Sequence, residues 1–314
     1  WAAPLVSAQD LVPDTEVSSR AEILKAPIPW RLSADHEGVE SVVGHAAGLG
    51  FQDGFQLGLG FNRGLEGDWA DRTVLFGASA RLGAFALGFG WVTPDEGEGE
   101  IKRSDVALAL RMGRQLSIGV RTEVHEGWPS EGGDGTSELR RTAISTSWRP
   151  SRSFSLALGV EDAVEEQSDT NLFDPFMTGS LSMRPGSERV SFGVEGGMPV
   201  RGDAPWRLGG ALRFMVTPGL EIGGYGRYIT GAEAPEQVEW GGFLALSQRS
   251  FSVEGSVERV DPSGDPESSS AGMASLLRFT SQPMPELIRK SGRILVVNID
   301  GSAPERPSRA FFEE

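Results

Sequence analysis

Phe85-Ala86-Leu87-Gly88-Phe89-Gly90-Trp91 alternates a large apolar side chain with a small one at every step. Leu116-Ser117-Ile118-Gly119-Val120 and Phe154-Ser155-Leu156-Ala157-Leu158-Gly159-Val160 repeat the rhythm, which recurs from Asp53 to Phe279. Side chains alternate faces along a strand, so one face is continuously apolar and the other carries Gly, Ser, Ala, Arg and Glu. The apolar face keeps its pattern with no second sheet to cover it. That combination reads as an all-β transmembrane barrel, apolar outside and wet inside.

Composition agrees. Apolar content is 39% and mean hydropathy is −0.22, low for a membrane protein built of helices. No apolar run reaches the roughly 18 residues a spanning helix needs, whereas a spanning strand needs only about 9–11 with every second one apolar. The 42 glycines suit close-packed strands and turns. A net charge of −15 argues against nucleic acid as a partner. The absence of cysteine excludes thiol chemistry and disulfides, and three scattered histidines make no metal cluster. Trp1-Ala2-Ala3-Pro4-Leu5-Val6-Ser7-Ala8 reads as the tail of an export signal.

The alternation predicts about 14 antiparallel up-and-down strands. Their spans are 54–62, 72–82, 84–92, 103–113, 115–125, 138–148, 153–162, 176–184, 188–197, 205–216, 219–229, 237–247, 250–259 and 270–280. Connections alternate in length. Short ones include Leu82-Gly83-Ala84, Met112-Gly113-Arg114, Arg184-Pro185-Gly186-Ser187 and Thr217-Pro218-Gly219. Long acidic ones include Thr93 to Glu100, Glu126 to Ser137, Ala163 to Asp174 and Asp261 to Ser270. Outer-membrane barrels have short periplasmic turns and long outer loops, and an even strand count puts both termini in the periplasm.

The predicted lipid face runs from Leu57, Leu59, Phe61, Val74 and Phe76 through Leu87, Phe89, Val106, Leu108 and Leu110 to Met273, Leu277 and Phe279. Aromatics cluster at strand ends as two membrane girdles. Phe85, Trp148, Phe154, Phe214, Phe251 and Phe279 form the periplasmic one, and Phe61, Trp91, Trp206, Tyr228 and Trp240 the outer one. The opposite face carries Arg81, Arg111, Arg121, Glu123, Arg141, Glu161, Glu195, Arg207, Arg213, Glu221, Arg227, Glu239, Glu254 and Arg278. A charge facing lipid near the midplane costs about 2–4 kcal/mol, so these residues must line a lumen.

About 50 residues precede the first strand, with Pro27-Ile28-Pro29-Trp30 and then Glu40 to Phe51. Here the chain resembles the FadL-type outer-membrane transporters of long-chain fatty acids and hydrophobic compounds. Their N-terminal hatch plugs a 14-stranded barrel and ends on an Asn-Pro-Ala-Gly-Leu-type motif. His45-Ala46-Ala47-Gly48-Leu49 stands at that place, keeping Ala47-Gly48-Leu49 and lacking Asn-Pro. The resemblance implies a hatch at those residues and a kinked third strand with a lateral opening, here at Gly88 and Gly90. The expected division is residues 1–52 as export remnant and hatch, 53–281 as barrel, and 282–314 as a periplasmic extension.

Past Gln282-Pro283-Met284-Pro285 the alternation stops, and Gly292-Arg293-Ile294-Leu295-Val296-Val297-Asn298-Ile299-Asp300-Gly301 reads as a buried strand of an α/β domain. The run resembles the opening strand of signal peptide peptidase-type Ser/Lys proteases, without their catalytic residues. Two functions follow. One is a membrane anchor or portal for a periplasmic protease-like module. The other is a FadL-like channel for hydrophobic small molecules. Either barrel would lie in the bacterial outer membrane, against lipid and lipopolysaccharide. Gly58-Leu59-Gly60 lies inside a strand, and His36-Glu37 and His125-Glu126 are isolated pairs. No catalytic residue, cofactor or metal site is expected in residues 1–314.

Overall fold

A computed structural model of the chain describes residues 26–66, 73–94, 102–129, 136–166, 175–185, 189–200, 205–230, 236–248, 250–262 and 269–281. The export remnant and the run from Gly292 to Gly301 lie outside them. The strands are β1 (Phe55–Glu66), β2 (Thr73–Leu82), β3 (Phe85–Pro94), β4 (Lys102–Met112), β5 (Leu116–Pro129), β6 (Thr136–Ser151) and β7 (Phe154–Glu166). They continue as β8 (Phe176–Met183), β9 (Val190–Pro199), β10 (Trp206–Thr217), β11 (Leu220–Thr230), β12 (Gln237–Gln248), β13 (Phe251–Pro262) and β14 (Ser270–Thr280). Each pairs antiparallel with its sequence neighbours, and β1 pairs with β14 from Gln56↔Thr280 to Glu66↔Ala271, so the sheet is a closed barrel without edges.

The outer surface is apolar. Leu59, Phe76, Leu87, Phe89, Val106, Leu108 and Phe279 are all exposed. Aromatics pack together near the strand ends. Trp148 meets Phe154 edge-on at 5.9 Å, Phe251 lies 5.2 Å from Phe279, and Trp206 lies 6.3 Å from Tyr228. Indole Nε1 of Trp240 donates to Asp261 at 2.9 Å. Gly83, Gly113 and Gly219 adopt positive φ in short turns, a conformation that costs glycine little.

Two sequence expectations change. The stretch from Glu126 to Ser137, read as a loop, is strand at both of its ends: Trp128↔Ser137 and Pro129↔Thr136 extend the β5–β6 ladder. Beyond the lipid both faces of a hairpin are wet, so alternation fades there while backbone pairing continues. At Gly88 and Gly90, where a kink is expected from sequence, pairing is uninterrupted. β3 pairs without register shift against β2, from Thr73↔Pro94 to Leu82↔Phe85, and against β4 from Phe85↔Leu110 to Val92↔Arg103. The two glycines make room for the segment inside the barrel: a Cβ at Gly88 would overlap Val42, and one at Gly90 would press on Val43. The irregularity lies elsewhere. Thr142 pairs with Val164 and Ile144 with Val160, so Ala143 alone faces Glu161, Asp162 and Ala163 in a β7 bulge. Asp162 has φ 54°, the one positive value at a non-glycine among the described residues.

Residues 26–52 run through the barrel, with the short helix α1 (Val39–Val43) between 3-10 turns at Ser33–Asp35 and Ala46–Phe51. α1 lies against a wall of glycines on β1 to β3, and Ala46–Ala47 lie against Gly119 of β5. Replacing Gly119 by alanine puts a methyl into the backbone of Ala46 and Ala47, whereas Gly255 faces open space. Gly119→Ala is expected to lower the temperature at which the barrel loses its fast, unboiled gel mobility. Gly255→Ala is expected to stay within about 0.5 kcal/mol of the parent.

Candidate functional site

The lumen is the candidate site, and its chemistry follows from what must be satisfied there. A five-residue helix and two 3-10 turns leave most of their backbone polar groups without internal partners. The barrel's inward serines supply them. Ser145 Oγ accepts from Ala47 N at 2.9 Å, Ser180 Oγ accepts from Ala34 N at 3.2 Å, and Ser155 Oγ donates to Ala34 O at 2.5 Å. Arginines cap the rest. Arg103 donates to Val43 O at 3.2 Å, Arg121 to the same oxygen, and Arg149 to Ala34 O and His36 O at 3.1 and 3.0 Å.

Charges fall in two layers. Near the short turns, barrel arginines meet acids of the N-terminal segment. Arg278 donates to Glu40 at 2.5 Å, Arg81 to Asp53 at 2.5 Å, Arg184 approaches Asp35 at 3.4 Å, and Arg149 pairs with Glu37. Glu40 is fully enclosed. Arg31 lies 3.5 Å from it and also binds Glu254, which Arg278 approaches at 3.6 Å, closing a ring of two arginines and two glutamates. Phe51 sits between the guanidinium groups of Arg111 and Arg149, at 5.4 and 4.4 Å, in cation–π geometry. Toward the long loops, Arg103 donates twice to Asp105 at 2.9 Å, and Arg121 lies 3.0 Å from Glu123. There Arg141 grips Asp162 at 2.5 and 2.6 Å, holding the bulge, and Glu123 also bonds His125 at 2.6 Å.

Between the N-terminal segment and this upper layer lies a cavity of about 250 Å³. Ile28, Trp30 and Val43 give it an apolar side, and Trp30 stacks on Tyr225 at 4.8 Å. Glu161, Thr178 and Glu195 give it a polar side.

The residues read from sequence as lumen-lining differ in burial. Arg121, Glu123, Arg213, Glu221, Glu239 and Glu254 are buried among them; Arg207 lies over Phe176 at 5.1 Å, and Arg227 donates to Glu239 at 2.5 Å. His45 to Leu49 sit buried in the lumen. Sequence reasoning missed Glu40, Arg31, Arg103, Asp105, Asp162 and Arg149. The parity of β4 signalled two of them, since Arg103 and Asp105 share a face with Ala107 and Ala109. Glu40, flanked by Val39 and Val42-Val43 in a short apolar run, was a charge that burial had to pair.

Asp35 is buried, which alone would raise its pKa, but Arg213 and Arg184 hold it below the usual carboxylate range. Burial, with Arg31 nearby, pushes His36 down to about 4. Burial, with His36 nearby, pushes His45 down to about 3.

No protein-family model matches the sequence, and no curated protein matches it. Solved structures do match, and they show the fold. The chain is similar to the CymD monoaromatic hydrocarbon channel, with 11% identity and a TM-score of 0.58 over 78% of this chain and 93% of that one. It is similar to the Pseudomonas putida toluene transporter TodX, with 9% identity and a TM-score of 0.58 over 79% and 95%. A Pseudomonas aeruginosa FadL homologue matches with 10% identity and a TM-score of 0.56 over 79% and 95%.

Two outcomes are expected. Glu40→Gln leaves Arg31 and Arg278 sharing fewer negative charges in a dry site, and it should destabilise the folded barrel by about 3–5 kcal/mol, read as a lower unfolding midpoint in denaturant. His36 and His45 are neutral when folded and take up protons more readily when unfolded. Their contribution is therefore complete above about pH 6.5 and is lost as pH falls toward 4 and 3. Protease resistance of the N-terminal segment should fall across that window, and less steeply in His36→Gln.

Proposed function

We propose that this protein is an outer-membrane channel that admits small hydrophobic molecules from the loop end into the cavity beside the N-terminal segment. The observation that carries this reading is the cavity itself: about 250 Å³ with an apolar side of Ile28, Trp30 and Val43, beside the N-terminal segment. In this reading residues 1–52 act as the hatch, residues 53–281 as the wall, and the exposed apolar belt as the lipid contact. The barrel's likeness to a monoaromatic hydrocarbon channel and a toluene transporter supports it. Exit toward the turn end requires the segment to shift, because Phe51, Glu37 and Asp53 are each engaged by barrel arginines there. The alternative of anchoring a protease-like module rests on residues 292–301, outside the described residues.

The test is accumulation of an apolar aromatic probe by cells with an intact lipopolysaccharide-containing outer membrane, with and without the protein. The protein should raise the rate. Ala143→Trp, which fills the cavity from the β6 side, should bring it back toward the protein-free level while the barrel keeps its unboiled gel mobility. Equal rates with and without the protein would refute the channel.

A further inference from the structure

We propose that the cargo selected by this cavity carries a positive charge: a small aromatic or aliphatic amine in its ammonium form. Its apolar body lies against Ile28 and Trp30, and its head lies between Glu161 and Glu195. The inference rests on the channel reading and names its substrate class.

The argument is a charge inventory of the cavity wall. Each guanidinium that lines it already has a carboxylate. Arg103 is held by Asp105, Arg121 by Glu123, Arg141 by Asp162, Arg31 by Glu254 and Arg227 by Glu239. An anionic ligand would have to displace one of those partners and leave a carboxylate unpaired in a poorly solvated lumen, which is unfavourable. The carboxylates are not all so engaged. Glu123 is bound by Arg121, Arg141 and His125. Glu161 makes no hydrogen bond or ion pair among the described residues, although it lines the cavity. Glu195 accepts from Ser33 N and Ser33 Oγ through Oε2, both at 2.7 Å, and its Oε1 carries no bond among the described residues.

Two features aim these groups at the same space. The β7 bulge, fixed by the grip of Arg141 on the left-handed Asp162, delivers Glu161 into the lumen one residue before the turn of the chain. β8 lies between: Glu161 pairs with Phe176 and Glu195 with Ser180, and Thr178, opposite Gly159 and Gly197, stands between those two levels on the same face of the strand. Thr178 Oγ1 lies in the same wall and adds a neutral acceptor. An ammonium has three N–H donors and no acceptor, the complement of two carboxylates and a hydroxyl. A neutral hydrocarbon would leave both carboxylates without partners as it excluded water.

The experiment uses the full chain, purified in detergent, and three ligands with one ring and different heads: benzylammonium, benzyl alcohol and benzoate. Calorimetric titration should rank benzylammonium tightest. In Glu161→Gln and in Glu195→Gln its advantage over benzyl alcohol should shrink by about tenfold, the loss expected for one charge-assisted hydrogen bond. Unboiled gel mobility confirms that each variant is a closed barrel, and neutralising Glu161 breaks no hydrogen bond or close ion pair among the described residues, though it removes the attraction of Arg141. Benzyl alcohol binding as tightly as benzylammonium, with neither variant changing the ratio, overturns the inference and leaves the channel standing. Benzoate binding tightest also overturns it. Failure of all three to bind, together with no protein-dependent uptake, removes the channel reading itself.

Discussion

Everything inside this barrel is organised around one buried carboxylate. Glu40 enters the lumen on a helix too short to be stable alone, where hydration cannot stabilise its charge. The charge survives because Arg278 reaches it from β14 and Arg31 from the N-terminal segment, while Glu254 of β13 balances the two arginines. Such a ring contributes little net energy compared with an apolar replacement, yet losing one member leaves an uncompensated charge. It therefore specifies position more than it adds stability. The glycine wall of β1 to β3 and β5 can then be close-packed, because α1 has one place to be.

The rest of the lumen obeys the same demand. Serines on the inward face stand where a backbone N–H or C=O of the N-terminal segment needs a partner, and arginines cap the carbonyls that serines do not reach. The inward face alternates small and charged residues for two distinct reasons. Small residues let the segment approach the wall, and charged ones hold it or balance one another. A cavity lies between Trp30 and the upper strands, where pairing among the described residues is incomplete on the acidic side.

Much of this was legible in the sequence. Alternation in segments such as Phe85 to Trp91 fixes the strand period and the two faces, and alternating short and long connections fix the hairpin order. Strand ends near the loops were not legible. Past the lipid neither face must be apolar, so Trp128 and Thr136 carry no periodic signal. Gly88 and Gly90 read from sequence as the place of a kink, and the close approach of Val42 and Val43 to them left no signal in the strand's own pattern. The bulge at Glu161–Ala163 was invisible because a residue count along one strand does not reveal the count along its neighbour. The partners of Glu40 were hidden for a simpler reason: Arg278 lies more than two hundred residues away in the chain.

That separation bears on the order of events during folding. The segment that fills the lumen is made first, and the strand that clamps it is made last, since Arg278 belongs to β14 and β14 also seals the sheet against β1. Contacts between distant parts of a chain form late, after local hairpins have paid for their own loops. An open sheet of thirteen strands therefore meets an N-terminal segment in which Glu40 has Arg31 but still lacks Arg278. Closure of the sheet and completion of the ring around Glu40 are one event. A barrel sealed with the segment left outside would hold Arg278 and Arg31 apart, with Glu254 facing one arginine instead of two. Correct insertion is thus checked by the same bond that completes the wall.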